Sequence, residues 1–380
     1  MQLDDAHEDF RAAVRKMASQ YVTPIADELD TTDEFPQDLI GVFADMGLTQ
    51  LAIPEQYGGP GGDLLSACIA REEVARAGSM TLAQLAGQNG IVIQAILDSG
   101  SDELKNEFLP ALADGRTITC IAITESDAGS DPATMTTRAV RDGDDWLISG
   151  QKQFITWGSM AKYAVVFART NDQPRSRGIS AFLADCDQPG WVVARDNDKM
   201  GQHGVPNNEI YLENLRVPDS RRIGGEGGGF RAAMHALHLN RPTVAGIAVG
   251  GAQCALDYGI GYAKERQTGG HLVSDYQGIR WLIAEDATHI EAARGLVYSC
   301  ATAYDNGAPE HEVTRLSSMA KYFAAETLQR VTYNALQMLG GHGYMKDHPL
   351  ERYARDGRLL SIYEGTSQIQ KNIIAKSVLA

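Results

Sequence analysis

The 380-residue sequence predicts a multi-domain α+β protein. An N-terminal all-helical domain (1–118) precedes a middle antiparallel β-barrel or sandwich (119–223) and a C-terminal four-helix bundle (224–380). Three observations predict this. Apolar residues recur at three- and four-residue spacing before about residue 118. After Gly115 the pattern changes to short β-branched runs between polar turns. Beyond the glycine run Gly224–Gly229 the helical period returns, in longer stretches.

Phe10, Val14, Met17 and Tyr21 form the first apolar stripe, and Leu39, Val42, Phe43 and Met46 the second. Pro24 and Pro36 break the chain around them. Further helices are expected over 64–77 and 81–98, with a shorter one ending near Ala113. Strands follow at 117–124, 136–140, 146–149, 163–168, 179–184, 191–194 and 209–212. The Asp142-Gly143 pair between the second and third reads as a hairpin turn. The run 224–229 lacks the Lys-Ser/Thr of a phosphate-binding P-loop, so it is read as a flexible joint. Four long helices are expected over 229–266, 275–306, 311–339 and 367–378, with Pro242 bending the first.

A formal net charge of −15 argues against nucleic acid or an anionic membrane as the main partner. No apolar run is long enough to span a bilayer. The acidic start of the chain reads neither as a secretory signal nor as a transit peptide. Five scattered cysteines form no metal spacing and suggest no disulfide framework. A reducing cytoplasm is the expected compartment.

Near the end, Tyr363-Glu364-Gly365-Thr366-Ser367 places one carboxylate on a short loop before a helix. Such a Glu is ordinarily a solvated side chain, and only its context makes it a positioned base. Ser367 and Gln370 carry the spacing of a capping box.

Six motifs supply the context: Thr124–Asp131, Gly150–Thr156, Lys199–Gln202, Glu265–Gln267, Gln337–Tyr344 and Tyr363–Gln370. Together, in this order, they resemble the acyl-CoA dehydrogenase family over nearly the whole chain. The resemblance implies bound FAD and an acyl-CoA thioester substrate. It implies that Glu364 removes the α-proton while the β-hydrogen leaves as hydride to flavin N5, giving a trans-2-enoyl thioester. A positioned base contributes about 10²–10⁴ in rate, and a bound acyl chain that excludes water should raise its pKa. Some relatives carry the base on the long helix instead. Here that stretch is His238-Leu239-Asn240-Arg241, with no carboxylate.

By the same resemblance Thr124, Phe154, Ile155 and Thr156 contact the flavin, as do Thr366 and Gln368 at a helix start. Arg266, Thr268, Gln337, Gly340 and Gly341 reach FAD from a neighbouring subunit, which implies a homotetramer. Ser130, Asn240, Arg241 and Gly365 fall on the substrate side, and no metal is implied. Electrons would pass to an electron-transfer flavoprotein. An oxidase or a desaturase acting on a carrier-protein thioester would keep the same fold. So would a non-catalytic subunit, against which the presence of Glu364 counts. Five residues depart from the family pattern: Ser126, Trp157, His203, His238 and Gly269. Trp157 is expected to alter the flavin surroundings, and His238 the substrate contacts.

Overall fold

A computed structural model describes residues 3–379. Its first part is helical: α1 (Asp5–Tyr21), α2 (Ala26–Thr32), α3 (Asp38–Asp45), α4 (Leu64–Arg76), α5 (Met80–Ala83), α6 (Gly90–Ser99) and α7 (Asp102–Leu112). The α1 stripe buries Val14, Met17 and Ala18, whereas Tyr21 is exposed. One expected helix, 81–98, is broken. Residues 84–89 form a loop pinned where the Gly87 N–H donates to Leu48 O at 2.7 Å. Through Gly87 this loop walls a small cavity.

The middle part is β1 (Thr119–Ala122), β2 (Arg138–Asp142), β3 (Asp145–Thr156), β4 (Tyr163–Arg169), β5 (Ile179–Asp185), β6 (Trp191–Asp196), β7 (Asn207–Pro218) and β8 (Arg222–Ile223). They form one sheet in the order β6-β7-β3-β2-β4-β5-β8, mostly antiparallel, with β1 joined to β4 in parallel. The expected hairpin is present: Asp142 pairs with Asp145 across Gly143-Asp144. In β3 the register against β7 shifts between Lys152 and Ile155. Phe154, at φ 58, is the left-handed residue of that bulge. Buried positions are even-numbered before it (Ile148, Lys152) and odd-numbered after it (Ile155, Trp157).

The glycine run is packed rather than free. The Gly224 N–H donates to Ser99 O, and the Gly227 N–H to Ser180 Oγ. Beyond it come α8 (Gly229–Glu265), the short hairpin β9 (Gln267–Thr268) and β10 (His271–Leu272), then α9 (Gln277–Asp305), α10 (Glu310–Leu339), α11 (Leu350–Arg358) and α12 (Ser367–Val378). The α8 helix continues through Pro242. Contacts fix the directions within this bundle. Along α8 and α10, His238 meets Thr314 and Gly259 lies against Met338, so the two run parallel. Ser367 meets Glu326 while Lys371 lies over Tyr322, so α12 runs against α10. The α9 helix returns between its neighbours, its Arg294 bonding Gln253. The result is four long helices in alternating directions, their seam filled by Val244, Ile247, Ala248, Ile290, Ala324 and Leu328.

Candidate active site

The loop 363–366 joins α11 to α12 beside α8 and α10. Glu364 sits at φ 57, a conformation seldom taken by a residue with a side chain. Three side chains hold the strained turn by its carbonyls, through four hydrogen bonds. Arg241 Nε donates to Glu364 O at 3.1 Å, and Lys321 Nζ to Gly365 O at 2.7 Å. Gln370 Nε2 donates to both, at 3.1 and 2.9 Å. Gly365 has φ 88, and a Cβ there would stand 2.7 Å from Gln370 Nε2. The turn therefore needs glycine at 365 for both conformation and space.

The turn also shifts the helix start. The N-cap of α12 is Thr366, whose Oγ1 accepts the Ile369 N–H at 3.3 Å. The expected Ser367–Gln370 capping box does not form. Ser367 instead donates to Glu326 Oε1, and Gln370 serves the loop.

One Glu364 carboxylate oxygen, Oε1, accepts from Asn240 Nδ2 at 3.0 Å. The other, Oε2, is fully enclosed and has no donor among the described residues. Burial pushes the carboxyl pKa up, and Arg241, Arg71, the Asn240 bond and Lys321 pull the other way; burial wins. Burial likewise lowers Lys321, to about 8, against the pull of Glu364.

A cavity of about 60 Å³ lies between α4, the 84–89 loop and α8, lined by Thr49, Leu64, Arg71, Gly87, Asn240 and Thr243 among others. Roughly 150 Å³ holds a benzene ring, so this cavity suits only a small tail. Arg71 is a functional candidate that sequence reasoning missed. It is 6% exposed, and its three hydrogen bonds go to Ala86 O, Gly87 O and Thr243 Oγ1. The available signal was slight: an Arg directly after the apolar run Ala67-Cys68-Ile69-Ala70 and before Glu72-Glu73.

The β domain presents a second surface. Thr124 O accepts the Gln153 N–H at 2.9 Å, which sets Thr124 beside the bulge. Phe154 is 64% exposed there, Ile155 is buried beneath, and Thr156 Oγ1 accepts from Asn207. An uncovered aromatic ring flanked by threonines fits a planar, polar-edged group such as a flavin. Behind it stands a buried ion pair, Glu125–Lys152 at 2.9 Å. Despite burial, Lys152 and the Thr136 and Thr137 donors hold Glu125 down at about 2, while burial lowers Lys152 to about 8. The motif Glu therefore anchors the β scaffold. Ser130 is exposed on the loop beyond it.

The remaining candidates lie elsewhere. Arg266 and Thr268 follow the end of α8, Gln337 lies in the last turn of α10, and Gly340 and Gly341 follow it; all are exposed. The two ends meet, since the Tyr262 and His342 rings are 6.2 Å apart. From Arg241 to Arg266 is 25 helical residues, about 37 Å at 1.5 Å each. One chain therefore does not bring these five residues to Glu364.

Three departures acquire structural reasons. Trp157 is 1% exposed and packs edge-on against Phe35, ring centroids 4.9 Å apart. It joins the β domain to the segment between the second and third N-terminal helices. Burial disfavours a charged His203, but carbonyls of Lys199 and Asp30 on its two ring nitrogens, and the Asp30 carboxylate, raise its pKa. His203 thus ties the 199–204 loop to α2. Gly269 and Gly270 both have positive φ, as the two-residue turn between β9 and β10 demands.

Three family descriptions match in series: acyl-CoA dehydrogenase N-terminal domain over residues 4–116, middle domain over 120–215 and C-terminal domain over 227–379. The chain belongs to the acyl-CoA dehydrogenase family. Members of this family are FAD-dependent oxidoreductases acting on CH–CH bonds. The chain is 38% identical over 377 residues to the probable acyl-CoA dehydrogenase FadE25 of Mycobacterium tuberculosis, covering 99% of this chain and 96% of that one. It is 38% identical over 371 residues to CarC, a subunit of the caffeyl-CoA reductase-Etf complex of Acetobacterium woodii, covering 96% and 97%. The butyryl-CoA dehydrogenase structure from Megasphaera elsdenii superposes with a TM-score of 0.96 at 32% identity, over 100% of both chains. No helix among the described residues is long and apolar enough to cross a membrane.

Proposed function

We propose that this acyl-CoA dehydrogenase family member oxidises a short acyl-CoA thioester to the trans-2-enoyl thioester, with Glu364 as the base. The observation that carries this is the Glu364 carboxylate: one oxygen held by Asn240, the other enclosed and unpartnered, beside a small cavity. The free Oε2 is the atom that takes the α-proton. Among the described residues no group accepts the Glu364 N–H, so it is available to the thioester carbonyl as electron density moves there. Bound FAD supplies the acceptor for the hydride leaving the β-carbon. Thr124, Phe154, Ile155 and Thr156 would cover its ring system, and Thr366 and Gln368 stand at a helix N-terminus suited to diphosphate. Arg266, Thr268, Gln337, Gly340 and Gly341 would come from a second copy in a homotetramer. Asn240, Arg241 and Gly365 would border the thioester, and Ser130 the CoA part of the substrate.

An electron-transfer flavoprotein is the proposed electron partner, and the CarC relative, named as part of an Etf complex, supports it. That relative also favours a second reading, the reverse reduction of an enoyl-CoA. There Glu364 would return the proton to the α-carbon, a role its raised pKa serves equally well.

Anaerobic flavin bleaching by acyl-CoA thioesters of graded length tests the first reading. Short saturated thioesters should bleach wild type, and Glu364→Gln should lose most of the bleaching rate at unchanged FAD content. Wild-type bleaching in that variant would remove Glu364 from the role. Oxidation of the reduced protein by an enoyl-CoA, without bleaching by any saturated thioester, would favour the reductase reading.

A further inference from the structure

We infer that Arg71 and Thr243 are positioning residues for the base, acting through Asn240 on Glu364, an inference that rests on the Glu364 reading above. A continuous line of hydrogen bonds joins the four. Arg71 Nη1 donates to Thr243 Oγ1 at 2.8 Å. The Thr243 hydroxyl lies 2.8 Å from Asn240 O and 3.1 Å from Asn240 Oδ1. Asn240 Nδ2 donates to Glu364 Oε1 at 3.0 Å.

The direction of the line is set by chemistry. A guanidinium only donates, so Thr243 must accept from it and has one proton left for Asn240. That proton is shared between the Asn240 backbone carbonyl, at 2.8 Å, and the carbonyl end of the Asn240 carboxamide, at 3.1 Å. The amide end must then face Glu364, where a carboxylate oxygen requires a donor. Each bond polarises the next toward the charged base. Residues 240 and 243 share one face of α8, three positions apart, so the helix itself sets the spacing.

Arg71 is fixed at the far end. Its Nε and Nη2 grip Ala86 O and Gly87 O, at 2.6 and 3.2 Å, on the loop that interrupts the expected helix. Its three hydrogen bonds go to uncharged acceptors, which leaves its charge to act across the cavity. The charged groups facing Glu364 are Arg71 from α4, Arg241 from α8 and Lys321 from α10, with Tyr363 on the loop itself. Arg241 and Lys321 hold the loop backbone, and the side chain that touches the carboxylate is Asn240.

The test follows protonation of the Glu364 carboxyl directly, by infrared difference titration of each variant against Glu364→Gln. It also follows the acid limb of flavin bleaching by butyryl-CoA in the FAD-loaded protein. Arg71→Met and Asn240→Ala should each move both midpoints up by about one pH unit, a tenfold change in proton affinity. Thr243→Val, which keeps the volume and the Arg71 charge, should slow bleaching and move the midpoints less. Thr243→Ser should restore wild-type behaviour. If Arg71→Met does not fold, the Thr243 pair decides. Wild-type midpoints and rates in Thr243→Val would overturn the inference while Glu364→Gln remains inactive. Exchange of the substrate α-proton by Glu364→Gln would instead remove the base reading beneath it.

Discussion

The two ends of the bundle's chemistry differ in how they are held. Around Glu364 the loop is gripped from within the chain: two loop carbonyls by Arg241, Lys321 and Gln370, and one carboxylate oxygen by Asn240. At the other end, about 37 Å away along α8, Arg266, Thr268, Gln337, Gly340 and Gly341 are exposed. The first region is preorganised, with strain at Glu364 held by its neighbours. The second is open to solvent. In the proposed homotetramer, where cofactor contacts would come from another copy, this arrangement would couple chemistry to assembly.

The contrast can be broken at either end. Glu364→Gln should cost about 10²–10⁴ in the rate of flavin bleaching, read by anaerobic stopped flow, with FAD content and oligomer size unchanged. Loss of FAD in that variant would mean that the base region also builds the cofactor site.

Gly365→Ala should cost about 1–3 kcal/mol of stability, since its φ is 88 and the new methyl would meet Gln370 Nε2. Thermal unfolding measures it, and activity should fall with it. A variant of wild-type stability would show that the turn is not strained.

The Glu364 titration sharpens the same point through pH. Its pKa is raised in the folded state, so the native protein binds that proton more tightly than the unfolded chain does. The associated stabilisation is complete below the ordinary carboxylate range and is lost as pH rises through the raised value. Wild type should therefore lose stability relative to Glu364→Gln over that rise, as parallel unfolding curves would reveal. Parallel pH dependence in the two proteins would refute the raised pKa.

The smallest effect belongs to the exposed end. Arg266→Ala should weaken FAD retention several-fold on dilution, with the bundle's unfolding unchanged. Unaltered FAD affinity would detach Arg266 from the cofactor. A destabilised bundle would make Arg266 structural within its own chain.

Much of this was legible in the residues. Helical period located the long bundle helices to within two residues, because an apolar stripe at 3.6-residue spacing is a local property. The Asp142-Gly143 turn was legible for the same reason: its backbone demand falls on adjacent residues. The Glu364 loop was located by its motif. The absence of a carboxylate at 238–241 gained meaning only when Asn240 proved to touch Glu364.

What tertiary structure decided lies where distant segments meet. The helix expected over 81–98 breaks because Gly87 bonds Leu48 O and Arg71 grips Ala86 and Gly87, and that break walls the cavity. Lys152 and Arg71 are buried because Glu125 and a set of carbonyls await them. The cap moved from Ser367 to Thr366 because three donors from three helices hold the turn before it. By itself the sequence determined three blocks, their element types and a loop carboxylate, since periodicity and turn chemistry act between near neighbours. The fold alone decided which face of Phe154 is open, how the base is held and how far Arg266 stands from it. Those depend on contacts between residues tens to hundreds of positions apart, which no local pattern encodes.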